Sequence, residues 1–405
     1  MTEGPARDAW LICAAALLRS TTVGLVGVVL AIYLGAEGLS VAETGLVIGV
    51  GLAGSAVMTA IVSVAADRFG RRRTLILASL LMAFGYVALV ISHRMSTLLP
   101  AAFFGMLNGM GRDRGPAGAL EQAMLPETVS PDRRTWMLAW YNVTMDTGHA
   151  LGAIAALIPT MFARHLRIGM GAAHQLTFLL CGGAMLVALV PYAMISAEVE
   201  IPRTLNSRTL ASIDARTKAI VAKLAILFGL DSIGGGFLSS ALIAYWFFQR
   251  YGLSETQLAG LFFVARGLNA VSHVAAAWMA QRIGLLNTMV LTHLPSSVLL
   301  MLAPAAPSAT IASGLFLGRE ALVEMDVPTR QSYVMAIVPP QARSFASGVT
   351  NLVRTIGWAA GPSIAGVVMQ HVVLGGPLLI GGALKMTYDV LLYRSFRRLR
   401  PSEEV

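Results

Sequence analysis

Apolar stretches of twenty or more residues follow one another along almost the whole chain, separated only by short polar gaps. A bilayer core about 30 Å thick asks for about 20 apolar residues per helix. A soluble core is built from helical stripes or alternating strands and needs no such runs. Of the 405 residues, 56% are hydrophobic and only 13% charged, about half the usual share of charge, too little to clothe a soluble surface. Apolar blocks at about 9–34, 43–65, 74–92, 97–125, 136–160, 172–196, 219–248, 255–280, 287–304, 309–336, 344–370 and 375–394 predict an all-α membrane protein with twelve transmembrane helices. The first block is too long for the apolar region of a signal peptide and is expected to remain as the first span. One gap stands apart: residues 197–218 are polar and of mixed charge. This gap is expected to be a cytoplasmic linker between an N-terminal six-helix bundle, 1–196, and a C-terminal one, 219–405.

The formal net charge of +9 does not imply nucleic acid as a partner, because the basic residues sit in the gaps, where membrane topology places them. Seventeen Lys and Arg residues fall in one set of gaps and at the termini, against four (Arg94, Arg164, Arg167, Arg250) in the other set. Positive charge is retained on the cytoplasmic side, so both termini and the central linker are expected there, in a bacterial cytoplasmic membrane. Cys13 and Cys181 lie inside apolar blocks and imply no disulfide framework.

The two halves repeat. Arg134-Thr135, Asn142 and Gly148-x-x-x-Gly152 in the fifth block match Arg343-Ser344, Asn351 and Gly357-x-x-x-Gly361 in the eleventh, at a constant offset of 209. Ser20, Gly24, Leu30 and Tyr33 in the first block match Ser232, Gly236, Leu242 and Tyr245 in the seventh, at an offset of 212. Parallel repeats of this kind imply two pseudo-symmetric bundles related by an axis along the membrane normal.

Between the second and third blocks runs Asp67-Arg68-Phe69-Gly70-Arg71-Arg72-Arg73. It resembles the loop 2–3 signature of the major facilitator superfamily, whose core is Asp-Arg-x-Gly-Arg-Arg. Ser63 stands where the full pattern has glycine, and the corresponding Gln281-Arg282-Ile283-Gly284 keeps only arginine and glycine. Asp231-Ser-Ile-Gly-Gly-Gly-Phe237 and Met325-Asp-Val-Pro-Thr-Arg-Gln-Ser-Tyr333 resemble a poorly characterised prokaryotic branch of that superfamily. The resemblance implies a latch for the outward-facing state made of Asp67, Arg68, Gly70, Arg71 and Arg72, and a central cavity lined by spans 1, 4, 7 and 10. Plain anchoring on the cytoplasmic side accounts for the arginines alone, but not for Asp67 and Gly70.

A charge at mid-bilayer costs about 2.5–3.5 kcal/mol on insertion scales, and such residues pair or line wet cavities. Arg19, Arg112, Asp113, Arg114, Asp231, Glu320, Glu324 and Asp326 all fall in spans 1, 4, 7 and 10 and are the candidate cavity and coupling residues. Lys385 and Asp389 fall in span 12, outside that set. The repeat sets Arg19 opposite Asp231, so the two are expected to approach each other or share a substrate. Glu320 and Glu324 stand four apart on one helix; like charges so spaced disfavour double ionisation, which makes the pair the first candidate proton carrier. The resemblance places Arg112 near a functional arginine of proton-coupled exporters, although the surrounding Arg112-Asp113-Arg114-Gly115-Pro116 departs from their motif. The Gly234–Gly236 run, Pro116 and Pro328 mark places where spans 7, 4 and 10 can bend.

Other chemistries lack their residues. The seven histidines show no metal-ligand spacing, no phosphate-binding loop or nucleophile elbow is found, and neither a cofactor nor enzymatic activity is expected. The reading is a monomeric secondary transporter that exports a small organic solute by alternating access, coupled to protons. The alternatives are an uptake carrier or exchanger for an organic anion, and a membrane sensor that does not transport.

Overall fold

The structure, a computed structural model, describes residues 3–397 apart from 114, 130–133, 197–213 and 340–341. The described chain is helical throughout: α1 (Glu3–Ala36), α2 (Val41–Phe69), α3 (Arg71–Ile91), α4 (Met95–Gly105), α5 (Pro116–Met124), α6 (Arg134–Ala155), α7 (Ile158–His165), α8 (Met170–Val187), α9 (Leu189–Met194), α10 (Ala215–Gly236), α11 (Ser240–Tyr251), α12 (Glu255–Ile283), α13 (Leu285–Leu302), α14 (Ala309–Val323), α15 (Asp326–Ile337), α16 (Arg343–His371) and α17 (Gly376–Phe396). These helices fall on the twelve expected spans, and eight of them are long and apolar enough to cross a membrane by that measure alone. The others are the broken or charge-bearing ones: the spans of α4–α5, α6–α7 and α14–α15, and α17 with Lys385 and Asp389.

Proline explains most of the breaks. Its ring denies a hydrogen bond to the carbonyl four residues earlier and crowds it. Pro159 stands four after Ala155, where α6 ends; Pro191 four after Val187, where α8 ends; Pro328 four after Glu324, where α14 has given way. Span 10, expected to be continuous over 309–336, is therefore two helices. Span 7 breaks after the three glycines that close α10. Span 4, expected as one helix over 97–125, opens into non-helical backbone over 106–113.

The chain divides into two compact units, one of Met1–Thr204 with Ser239–Phe263, the other of Leu205–Leu238 with Val264–Val405. Each contains a seam of small residues. In the first unit α1 packs on α6, and a Cβ at Gly152 would stand 2.2 Å from the carbonyl oxygen of Thr21. In the second unit α10 packs on α16, and a Cβ at Gly361 would stand 2.4 Å from Gly236 Cα. The Gly-x-x-x-Gly pairs read from the repeat are thus the places where helix backbones touch, as small residues allow in a bilayer. Large side chains fill the rest: Tyr141 and Tyr192 with Ile12 and Leu75 in the first unit, Phe228, Tyr333 and Tyr388 with Met289 in the second.

Candidate functional site

In the first unit the buried charge gathers on Arg19, which is 2% exposed at the middle of α1. Its Nη1 and Nη2 donate to the two carboxylate oxygens of Glu121 at 2.8 and 2.6 Å, its Nε donates to Asp113, and Nη1 also donates to the Tyr192 hydroxyl at 2.6 Å. The hydroxyls of Tyr141 and Tyr192 donate to Glu121 at 2.6 and 2.5 Å. Two carboxylates therefore share one guanidinium, and the fork of Arg19 meets Glu121 in the bidentate geometry that makes such pairs strong.

The backbone that carries Asp113 is the irregular stretch 106–113. Non-helical backbone at membrane depth survives only where protein buries it or it borders a wet space. Here Asn108 holds the turn from within, its Oδ1 accepting from Met110 N and its Nδ2 donating to Arg112 O, both at 2.8 Å. Asp113 N donates to His149 Nε2 at 2.8 Å, which fixes that ring nitrogen as the bare one. Two bonds come from α11: Ala241 N to Gly109 O at 3.0 Å and Ser240 Oγ to Met110 O at 2.9 Å. The stretch lies so close to α1 that a Cβ at Gly27 would stand 2.4 Å from Gly111 Cα. Arg19 and Asp113 line a recess here together with Ser55, Met82 and Asn108.

In the second unit the centre is an anion. Asp231 on α10 accepts from Lys385 Nζ at 2.7 Å on one oxygen and from Arg330 Nη1 at 3.0 Å on the other. Arg330 also reaches Asp326 at 2.7 Å, one turn earlier on α15. His293 on α13 sets Nδ1 2.9 Å from each oxygen of Asp389 on α17, while its Nε2 lies 3.5 Å from Lys385 Nζ. The sequence repeat aligns Arg19 with Asp231. The two occupy equivalent places with opposite charge, the cation ringed by carboxylates and the anion by cations.

Arg19 and Asp231, expected to approach each other or share a substrate, each find counter-charges inside their own unit. Glu320 and Glu324, expected four apart on one continuous helix, stand at its break. Glu320 pairs with Arg319 and accepts from Asn269 Nδ2 at 2.9 Å, and Glu324 caps the end of α14 with His273 4.0 Å away. Arg112 is half-buried in the irregular stretch. Arg114 and the side chains of Asp67 and Arg68 lie outside the described residues. In the loop signature, Gly70 takes φ 93°, closing α2 and opening α3 in one residue, a conformation that favours glycine. Arg71 pairs with Glu127 at 2.6 Å, and Arg72 donates to Ile195 O at 3.3 Å, just past the end of α9.

Three residues that complete the clusters escape sequence reasoning. Glu121 falls near the expected end of span 4, where a charge costs little. His293 is neutral in a charge count, and Tyr192 is one aromatic among many. Lys385 and Asp389 are visible as membrane charges but stand on a span the family resemblance does not assign to the cavity.

Residues 12–393 match the Major Facilitator Superfamily. The chain belongs to that family, and it is a multi-pass membrane transporter, not an enzyme. It is similar to an uncharacterized membrane protein of Saccharomyces cerevisiae, with 26% identity over 419 residues that cover 95% of this chain and 93% of that protein. Its fold is similar to that of a mutant form of the nucleoside transporter NupG, with TM-score 0.78, 10% identity and coverage of 96% of this chain and 100% of that one. It is also similar to a D-xylose–proton symporter, with TM-score 0.72, 15% identity and coverage of 96% and 97%.

Proposed function

We propose that this carrier is a proton-coupled exporter of a small organic solute. It works as a monomer by alternating access of two six-helix bundles, 1–196 and 219–405, joined by the 197–218 linker. It resides in a bacterial cytoplasmic membrane with both termini in the cytoplasm, and the Gly70–Arg72 corner, with Asp67 and Arg68, serves as its cytoplasmic latch. The observation that supports coupling is the sharing of Arg19 by Asp113 and Glu121. A proton placed on either carboxylate leaves the guanidinium matched by the other, so the cluster changes charge without stranding a buried cation. A solute bearing a positive group, entering the recess beside Asp113, stands in for that proton. Solute and proton then exclude each other, and exclusion makes the two move in opposite directions. Arg112, Arg114, Asp231 and Asp326 keep the cavity and coupling roles that the sequence assigns them. Glu320 and Glu324 hold α14 to α12.

The same recess supports a second reading, because it also presents a guanidinium. An organic anion that takes over Arg19 releases a carboxylate, which then needs a proton, so anion and proton travel together as in an uptake carrier. The sign of coupling separates the two. In proteoliposomes with an imposed pH gradient, screened with cationic, neutral and anionic compounds, the first reading expects cation flux opposite to the proton flow. Anion flux along the proton flow selects the second. Flux of every transported compound indifferent to the gradient refutes proton coupling.

A further inference from the structure

Among the described residues, Asp389 is fully buried and pairs with His293 alone. The other two carboxylates of the second-unit cluster each touch a permanent cation: Asp231 meets Lys385 and Arg330, and Asp326 meets Arg330. A buried carboxylate is not left facing a neutral partner without cost, and its partner here is the one side chain whose ordinary titration lies near neutral pH.

We infer that the His293–Asp389 pair, where α13 meets α17, is a second proton-binding site of the carrier, beside the carboxylates that share Arg19. This rests on the proton-coupled reading above and adds to it a proton-holding group in the second unit. Without the proton, Nδ1–H of His293 donates to Asp389 and the bare Nε2 faces Lys385 Nζ at 3.5 Å. The arriving proton adds to the lone pair of Nε2, and no other bond is made or broken. An N–H at Nε2 then confronts the Lys385 ammonium, and its available acceptor is Asp231 Oδ1, 4.0 Å away. His293 and Lys385 thereby compete for Asp231. Proton arrival weakens the bond by which α17 holds α10, and proton departure restores it.

The charged and titratable neighbours on every packed element fit this assignment. Elements α14, α15 and α17 pack on α13, and α10 packs on α17. From α14 come Arg319 and Glu320, paired with each other; from α15, Asp326 and Arg330, also paired; from α17, Lys385, Tyr388 and Asp389; from α10, Asp231. Arg354 on the adjoining α16 lies 4.6 Å over the Trp358 ring. The ion-paired network that includes His293 holds three carboxylates (Asp231, Asp326, Asp389) and two permanent cations (Arg330, Lys385). One bound proton brings it to neutrality.

The test is nitrogen NMR of the intact protein labelled with 15N-imidazole histidine, with His293→Gln assigning the resonance. Acidification is expected to convert His293 from the Nδ1–H tautomer to imidazolium. In Asp389→Asn the same conversion is expected to need at least about tenfold higher proton activity, since the stabilising carboxylate is gone. Both variants are compared at matched unfolding temperature and elution volume, and a variant that fails to fold is replaced by Asp389→Glu, which keeps the carboxylate and is expected to titrate like the parent. A His293 that stays neutral throughout, or one whose protonation ignores Asp389→Asn, overturns the inference. The functional reading fails separately. Gradient-driven flux with a silent His293 removes this site and leaves coupling intact, whereas a titrating His293 in a carrier whose flux ignores the gradient removes coupling.

Discussion

At the scale of single residues, Arg19 is the costliest group in the first unit and the best compensated. It is 2% exposed and bonded to Asp113, Glu121 and Tyr192. Removing one partner of a buried ion pair costs about 3–5 kcal/mol, because the survivor is left uncompensated, while replacing the whole set with apolar or neutral groups is often tolerated. Arg19→Met is therefore expected to destabilise the protein by at least that amount, as it strands two carboxylates. Arg19→Met with Asp113→Asn and Glu121→Gln is expected to regain more than half of the loss while abolishing transport. Unfolding in detergent, compared across the two variants, checks the order. The same residues show how far the site was legible. Arg19, Asp113 and Asp231 announce themselves through the cost of a charge in an apolar run. Their partners do not, because Arg19 and Glu121 are separated by 102 positions, and no local spacing relates them.

At the scale of elements, the positions of the helix breaks are written in the chain more plainly than the partners of the charges. Pro159, Pro191 and Pro328 each stand four residues after the point of failure. Proline alone is no guide, however: Pro100, Pro295 and Pro362 sit inside continuous helices, and the structure offers no account of the difference. The glycine seams are firmer ground, since the repeat pairs Gly152 with Gly361 and both touch backbone. Overpacking a close contact costs about 1–3 kcal/mol. Gly152→Ala and Gly361→Ala are each expected to lose that much in detergent unfolding, for a new methyl at 2.2 and 2.4 Å from a neighbour forces the helices apart. Gly260→Ala on α12, where nothing lies within 4 Å, is expected to be neutral or slightly stabilising. Equal losses at all three positions would mean that the seams are ordinary helix surface.

At the scale of the molecule, the distribution of arginine and lysine predicts which ends face the cytoplasm. With seventeen basic residues on one set of ends and four on the other, positive retention is expected to set the Gly70 corner in the cytoplasm. In that orientation the Arg71–Glu127 pair and the bond from Arg72 to Ile195 O, just past the end of α9, would fasten cytoplasmic helix ends, as the proposed latch requires. The opposite ends carry a different fastening, His174 Nε2 to Glu255 Oε1 at 2.8 Å between α8 and α12. The orientation is accessible because both native cysteines, Cys13 and Cys181, are buried. Gly169 precedes α8 on the His174 side and Pro339 follows α15 on the arginine side, and both are exposed. A membrane-impermeant maleimide added to intact cells is expected to label Gly169→Cys, and to reach Pro339→Cys only after permeabilisation. The reverse pattern would place the arginine-rich ends outside and turn the latch into an external one. An outward-directed solute flux against an inward proton flow would then have to be rebuilt with the His174–Glu255 contact as the cytoplasmic gate.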